Sequence, residues 1–183
     1  MNREQQQHQN KKLQVRHRKA WLMGKVEIKP FELAGSTVGR TVLIVTCDGE
    51  GKPNAMTAGW LQLGGLWGKA ILTIAVRPDR YTWGLLNERG EFTVNVPGKS
   101  LGEAVEVCGT VSGRDEDKFS RCEMTAVPGK AVSVPAIGEA LITYECKVVL
   151  TAESAPITRH RLYFGEIVSA YADEELVKRE QAQ

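Results

Sequence analysis

Between residues 41 and 171 the chain breaks into short apolar runs separated by turn residues, a rhythm that fits a β protein with brief helices and little else. Residues 41–46 (TVLIVT) form a β-branched run that stops at Asp48-Gly49-Glu50-Gly51-Lys52-Pro53, a polar connection suited to a hairpin. Residues 71–76 form a second run, ended by Pro78. Phe92, Val94 and Val96 alternate with Thr93 and Asn95, the pattern of a half-buried strand, closed by Pro97-Gly98. Ile142, Tyr144, Cys146, Val148 and Leu150 share one face, with Thr143, Glu145 and Lys147 on the other. Residues 162–171 read as a last strand, in which Gly165 marks a bulge or a close approach.

Helical signals are few. Ser100 and Glu103 make an S-x-x-E capping box, and Leu101, Ala104, Val105 and Cys108 recur at helical spacing. Residues 79–87 predict a helix ended near Gly90, and residues 115–124, with Phe119 and Cys122 three apart, predict a third. Helices scattered irregularly among strands favour an antiparallel barrel over a parallel doubly wound sheet.

Composition narrows the function classes. A chain of 183 residues with 24 basic and 22 acidic side chains is one domain's worth of ordinary globular sequence, and a net charge of +2 argues against a nucleic-acid partner. No apolar run is long enough to span a membrane. Cys47, Cys108, Cys122 and Cys146 form no C-x-x-C pair and no apolar leader opens the chain, which predicts reduced thiols in a cytoplasmic protein. His8 and His17 lie in the first twenty residues, so His160 is the domain's own histidine and no metal site is expected. Residues 1–22 read as a flexible, basic, glutamine-rich arm ahead of a domain at 23–183, with Met23 an alternative start.

Two motifs fail on inspection and a third matches. Gly49-Glu50-Gly51 lacks the third glycine of a dinucleotide fold, and Gly68-Lys69-Ala70 lacks the Ser or Thr of a phosphate loop. Gly98-Lys99-Ser100-Leu101-Gly102 matches G-x-S-x-G with acids and His160 downstream, the order of a serine hydrolase. Ser100 already has a simpler explanation as a helix cap, and the alternating strand before it is not a central parallel one.

Three further segments carry the positive reading. Asn54-Ala55-Met56-Thr57-Ala58-Gly59-Trp60 follows the first hairpin, Val76-Arg77-Pro78-Asp79-Arg80-Tyr81-Thr82 follows a strand, and Cys108-Gly109-Thr110-Val111-Ser112-Gly113-Arg114 leads to Asp117-Lys118-Phe119. In order and spacing they resemble the flavin reductase-like family of FMN-binding split barrels, and within it the flavoredoxins, over about residues 26–171. The resemblance implies a mainly β, Greek-key split barrel with a few short helices. It also implies a bound FMN, with FAD less expected, and a homodimer with the flavin near its interface.

The residue types suit that implication. A flavin needs a cationic cradle for phosphate, hydrogen-bond partners for the polar ring edge and apolar walls for its faces. Arg77 and Arg80 could fork onto phosphate, with the Thr82 hydroxyl and helix-start amides near Tyr81; otherwise they pair with Asp79 or are solvated. Asn54, Ala55, Met56 and Thr57, at the end of a turn, could meet the ring, with Trp60 as a wall or as plain core. Cys108, Gly109, Ser112 and Gly113 could bring backbone close to the ribityl chain, and Lys118 either balances charge or is a surface lysine.

His160 precedes Leu162-Tyr163-Phe164-Gly165 much as a histidine near the nicotinamide does in flavin reductases of this family. Thr158-Arg159 replace the Gly-Asp usual there. That departure shifts the expectation from direct NAD(P)H oxidation toward a carrier passing electrons between a donor and an acceptor protein. An NAD(P)H:flavin oxidoreductase is the alternative; a serine hydrolase using Ser100 and a binding module without chemistry are the minor ones.

Overall fold

The computed structural model describes residues 24–182. The arm expected over residues 1–22 and the alternative start at Met23 lie outside the described residues. The strands are β1 Lys25–Glu27, β2 Val42–Cys47, β3 Pro53–Ala58, β4 Leu61–Leu66, β5 Lys69–Val76, β6 Glu91–Val96, β7 Ala126–Val127, β8 Ala136–Ile137, β9 Ile142–Glu153 and β10 Arg161–Asp173. The helices are α1 Tyr81–Arg89, α2 Gly102–Thr110, α3 Lys118–Arg121 and α4 Glu174–Gln181. Among the described residues no helix is long and apolar enough to cross a membrane.

All the ladders are antiparallel, and the main sheet runs β3-β2-β6-β9-β10-β5-β4, with β1 added beside β10. Strands β3 and β4 are joined by Gly59-Trp60 alone yet stand at opposite ends of this order. The sheet therefore curls until its two edges meet at that corner and splay apart beyond it, the geometry of a split barrel. Leu72, Ile74, Phe92, Val94, Tyr144 and Tyr163 fill the interior.

The hairpin between β2 and β3 forms as its residues predict. Asp48 Oδ1 accepts the amides of Glu50 and Lys52 at 3.0 and 2.8 Å, and Gly51 takes φ 86°, which only glycine adopts cheaply. Gly165 is both things expected of it. The β9–β10 register shifts beside it, and a Cβ there would lie 2.5 Å from Phe92 Cζ and 2.8 Å from Cys146 Cβ.

Strand β6 departs from the half-buried pattern, because Thr93 and Asn95 are as fully buried as Phe92 and Val94. The long connection through β7 and β8 covers the polar face and satisfies it. Thr93 Oγ1 donates to the Pro135 carbonyl at 2.8 Å, and Asn95 Oδ1 accepts the Ile137 amide at 3.0 Å. The buried Glu145 of β9 likewise accepts the amides of Lys130 and Ala131. Alternation reveals which side chains are polar, not whether a distant loop will pair with them.

The helices shift as well. Ser100 is not an N-cap: residues 99–101 make a 3₁₀ turn, the Leu101 amide bonds the Gly98 carbonyl at 3.1 Å, and α2 starts at Gly102 without a side-chain cap. Helix α1 begins two residues late and ends at Gly90, φ 66°. The third predicted helix shrinks to four residues, started by Asp117 Oδ1 accepting the amides of Phe119 and Ser120.

Candidate functional site

The split between the barrel edges holds two clefts that share Met56 and Arg80. The wider, of ≈ 260 Å³, is lined by residues 56–60 from β3 and the barrel corner, by Ala75, Val76 and Arg77 from the end of β5, and by His160 from the β9–β10 turn. The narrower, of ≈ 170 Å³, lies between the start of α1 and the loop after α2. Its walls include Tyr81, Thr82, Cys108, Ser112, Gly113 and Lys118, all expected in a single site.

Charge is concentrated in the narrow cleft, where Arg80, Arg114 and Lys118 face one carboxylate, Asp79. Lys118 is a buried cation, not a surface one, at 5% exposure. Its ammonium donates to the Ala55 carbonyl at 2.9 Å and the Cys108 carbonyl at 3.4 Å. Burial holds its pKa below the usual lysine value, and Arg80 adds to that while Cys108 opposes it. The ammonium has three protons, so one remains beyond those two carbonyls. Burial also pushes the Cys108 thiol up to about 11, so at neutral pH it is a protonated wall and not a nucleophile.

Arg80 occupies the extended residue before α1, where its guanidinium donates to the Gly109 carbonyl at 3.4 Å. The buried Thr82 hydroxyl accepts from Asn54 Nδ2 at 2.9 Å, which leaves its own proton free to donate. Asn54 Oδ1 is buried with no hydrogen-bond partner among the described residues. A Cβ on Gly113 would lie 1.9 Å from that oxygen and 3.0 Å from Tyr81 Cδ1. A buried acceptor without a partner is costly unless a ligand or water donates to it. The cationic lining fits a flavin phosphate, and the Asn54 oxygen, an acceptor, fits a donor such as a ribityl hydroxyl or a ring N–H of the same ligand.

Several expectations change in detail. Asn54 and Thr57 lie within β3 and not at the end of a turn, and the Thr57 hydroxyl is taken by the Val105 carbonyl at 2.6 Å. Ala55 and Gly109 contribute carbonyls that hold Lys118 and Arg80. Arg77 does not join Arg80 in the narrow cleft; it lines the wide one and pairs with Asp79 at 3.1 Å. Trp60 is 61% exposed, so it is a wall and not core.

The Trp60 ring lies 4.7 Å from the His160 imidazole, tilted by 52°. His160 Nδ1 meets Thr158 Oγ1 at 3.2 Å, so Thr158, unusual for the pattern, orients the ring. Burial first and the Arg77 guanidinium second hold His160 below its ordinary pKa, with Asp79 opposing. Ser100 is exposed at the head of α2 and makes no hydrogen bond to His160, so no hydrolytic pair forms.

Arg114 joins the narrow cleft beyond the residues expected there. It sits over the Tyr81 ring at 5.2 Å and donates to the Asp79 carbonyl at 3.4 Å, closing the far side of the narrow cleft. The signal was present, since a basic residue directly after Ser112-Gly113 enters the same loop.

Comparison with known proteins agrees with this architecture. An uncharacterised protein of Archaeoglobus fulgidus is 40% identical over 129 residues, 70% of each chain. The flavoredoxin of Desulfovibrio vulgaris superposes with a TM-score of 0.67 at 28% identity, covering 75% of this chain and 71% of that one. The flavoredoxin of Methanosarcina acetivorans gives 0.66 at 30% identity, covering 74% and 69%. Residues 35–181 match the model of the flavin reductase like domain, and the chain belongs to that family.

Proposed function

We propose that the chain is an FMN-binding flavoprotein that passes electrons between a reduced donor and an acceptor, as a cytoplasmic homodimer. The observation that carries this reading is the pair of clefts joined at Met56 and Arg80, one cationic and enclosed, the other walled by aromatic rings. A bound flavin supplies the redox chemistry itself, and the protein supplies position and electrostatics.

Each residue then has a defined task. Arg80, Arg114, the Thr82 hydroxyl and the first amides of α1 hold the phosphate. Lys118 keeps a fixed positive charge buried beside the site, which favours whichever ligand state is more negative. Asn54, Ala55, Met56 and Thr57 form the strand edge along which the ligand lies, and Trp60 shields it from water. Tyr81, Cys108, Gly109, Ser112 and Gly113 close the walls of the narrow cleft, while Arg77 stands at the rim of the wide one. His160, held below its ordinary pKa, borders the wide cleft beside Trp60 and orients whatever meets that face.

Binding is tested by titrating the purified protein with FMN, FAD and riboflavin and following flavin fluorescence. Saturable binding of FMN, weaker for riboflavin, supports the phosphate assignment; equal affinity for both contradicts it. A second reading, an NAD(P)H:flavin oxidoreductase, is favoured by the open wide cleft that Trp60 and His160 border together. Steady-state NAD(P)H oxidation with added FMN separates the two, because rapid turnover rules out a carrier that relies on protein donors alone.

A further inference from the structure

The turn between β9 and β10 holds a chain of hydroxyls whose protons can be placed one by one. Ser154 Oγ lies 2.5 Å from the His160 carbonyl, and a carbonyl oxygen only accepts, so the single Ser154 proton is there. The approach of Ser154 Oγ to the Thr158 carbonyl, at 3.4 Å, is too long to compete for it. Ser154 Oγ and Thr158 Oγ1 stand 2.6 Å apart, a distance that requires a proton between them. Ser154 has none left to give, so Thr158 donates.

Thr158 Oγ1 is then an acceptor toward everything else. It takes the His160 backbone amide at 3.2 Å on one lone pair and meets His160 Nδ1 at 3.2 Å with the other. Two acceptors cannot share that contact, so Nδ1 carries the ring proton. In the neutral imidazole the other nitrogen, Nε2, is therefore bare, and among the described residues nothing donates to it. The His160 ring borders the wide cleft, 4.7 Å from the ring of Trp60. With Nδ1 engaged by the turn, Nε2 is the nitrogen left to meet a ligand.

We propose that Ser154 and Thr158 are positioning residues that hold neutral His160 in its Nδ1–H form, so that the wide cleft presents a hydrogen-bond acceptor and takes a planar-ring ligand bearing an N–H or O–H donor. Trp60 gives that ring a face to lie on, and Arg77 and Arg80, on the same lining, suit an anionic group carried by it. A ligand of this class as electron donor or acceptor rests on the redox reading above; the position of the proton does not.

Long-range proton–nitrogen correlation NMR of the purified full chain at about pH 8, above the ordinary histidine pKa of about 6.5, shows which ring nitrogen is protonated. The expected result is a protonated Nδ1 and a bare Nε2 in the wild type and in Thr158→Ser. Thr158→Val removes the acceptor, and Ser154→Ala frees the Thr158 proton to point at Nδ1, so both should move the ring proton to Nε2. A wild type protonated on Nε2, or two variants that leave the proton on Nδ1, overturns the positioning role. Titration of the flavin-loaded protein with p-hydroxybenzoate and p-methoxybenzoate, followed on the Nε2 resonance, reads the ligand class, because the probes share ring and charge and differ in the donor. The hydroxy probe should bind more tightly by about fivefold or more, the size of one hydrogen bond. Equal affinity, or binding of neither probe, overturns the ligand assignment. If the protein takes up no flavin, the redox reading fails by itself, and the same titration of the unloaded chain decides the ligand class.

Discussion

Asn54 and Gly113 approach so closely that a methyl group on Gly113 would lie 1.9 Å from Asn54 Oδ1. The two belong to segments 59 residues apart, the start of β3 and the loop after α2. Only a residue without a side chain lets that loop pass so close to β3 beside the narrow cleft. Gly113→Ala should cost about 1–3 kcal/mol of stability, the usual range for overpacking a tight site. Adding Asn54→Ala should recover most of that loss, because the clash needs both partners. Urea unfolding of the two single variants and the double variant measures the coupling; additive losses would show that the strain lies elsewhere.

Arg80→Ala should separate binding from folding. Among the described residues the guanidinium makes one weak bond, to the Gly109 carbonyl, and otherwise faces the clefts. FMN affinity should fall by tenfold or more, in line with about 1.5–3 kcal/mol for a charged hydrogen bond, while unfolding stability moves by about 0.5 kcal/mol or less. Fluorescence titration beside urea unfolding checks both halves. Unchanged affinity contradicts the phosphate role.

Gly165→Ala should do the opposite. The added carbon would press on Phe92 and Cys146 inside the barrel, away from both clefts. A loss of about 1–3 kcal/mol or more is expected from unfolding curves, with flavin affinity of the folded fraction unaltered.

His160 should titrate below 6.5 by NMR, and Arg77→Gln should move it back upward, because that guanidinium is, after burial, the larger of the causes that lower it. The sign for stability follows from proton counting. The unfolded chain binds the proton more readily than the folded one, so this group's contribution is fully present above about pH 6.5. It declines as the pH falls from there through the lower folded value. A folded pKa at or above 6.5 contradicts the assignment.

Much of the fold was legible because it rests on local signals. The Asp48-to-Pro53 turn, the apolar alternation of β9 and the punctuation at Gly90 each announce themselves within a few residues. What was hidden depends on partners far away in sequence. Thr93 and Asn95 look solvated until the chain through β7 and β8 covers them, and Ser100 looks like a cap until the Gly98 carbonyl takes its place. Strand β4 leaves no alternating trace in the sequence because Gly64 and Gly65 interrupt it.

The same division holds at the site. Most of the residues around the narrow cleft were readable from three motifs. The burial of Lys118 was not, since it requires the Ala55 and Cys108 carbonyls to converge from β3 and α2. Nor could spacing alone show that Arg77, three residues before Arg80, would turn to the other cleft.

The most direct test of the central claim is the visible absorption spectrum of the purified protein, joined to mass spectrometry of any small molecule released by heat. A two-banded flavin spectrum with FMN released is the predicted result. A colourless protein that takes up neither added FMN nor added FAD would contradict the account.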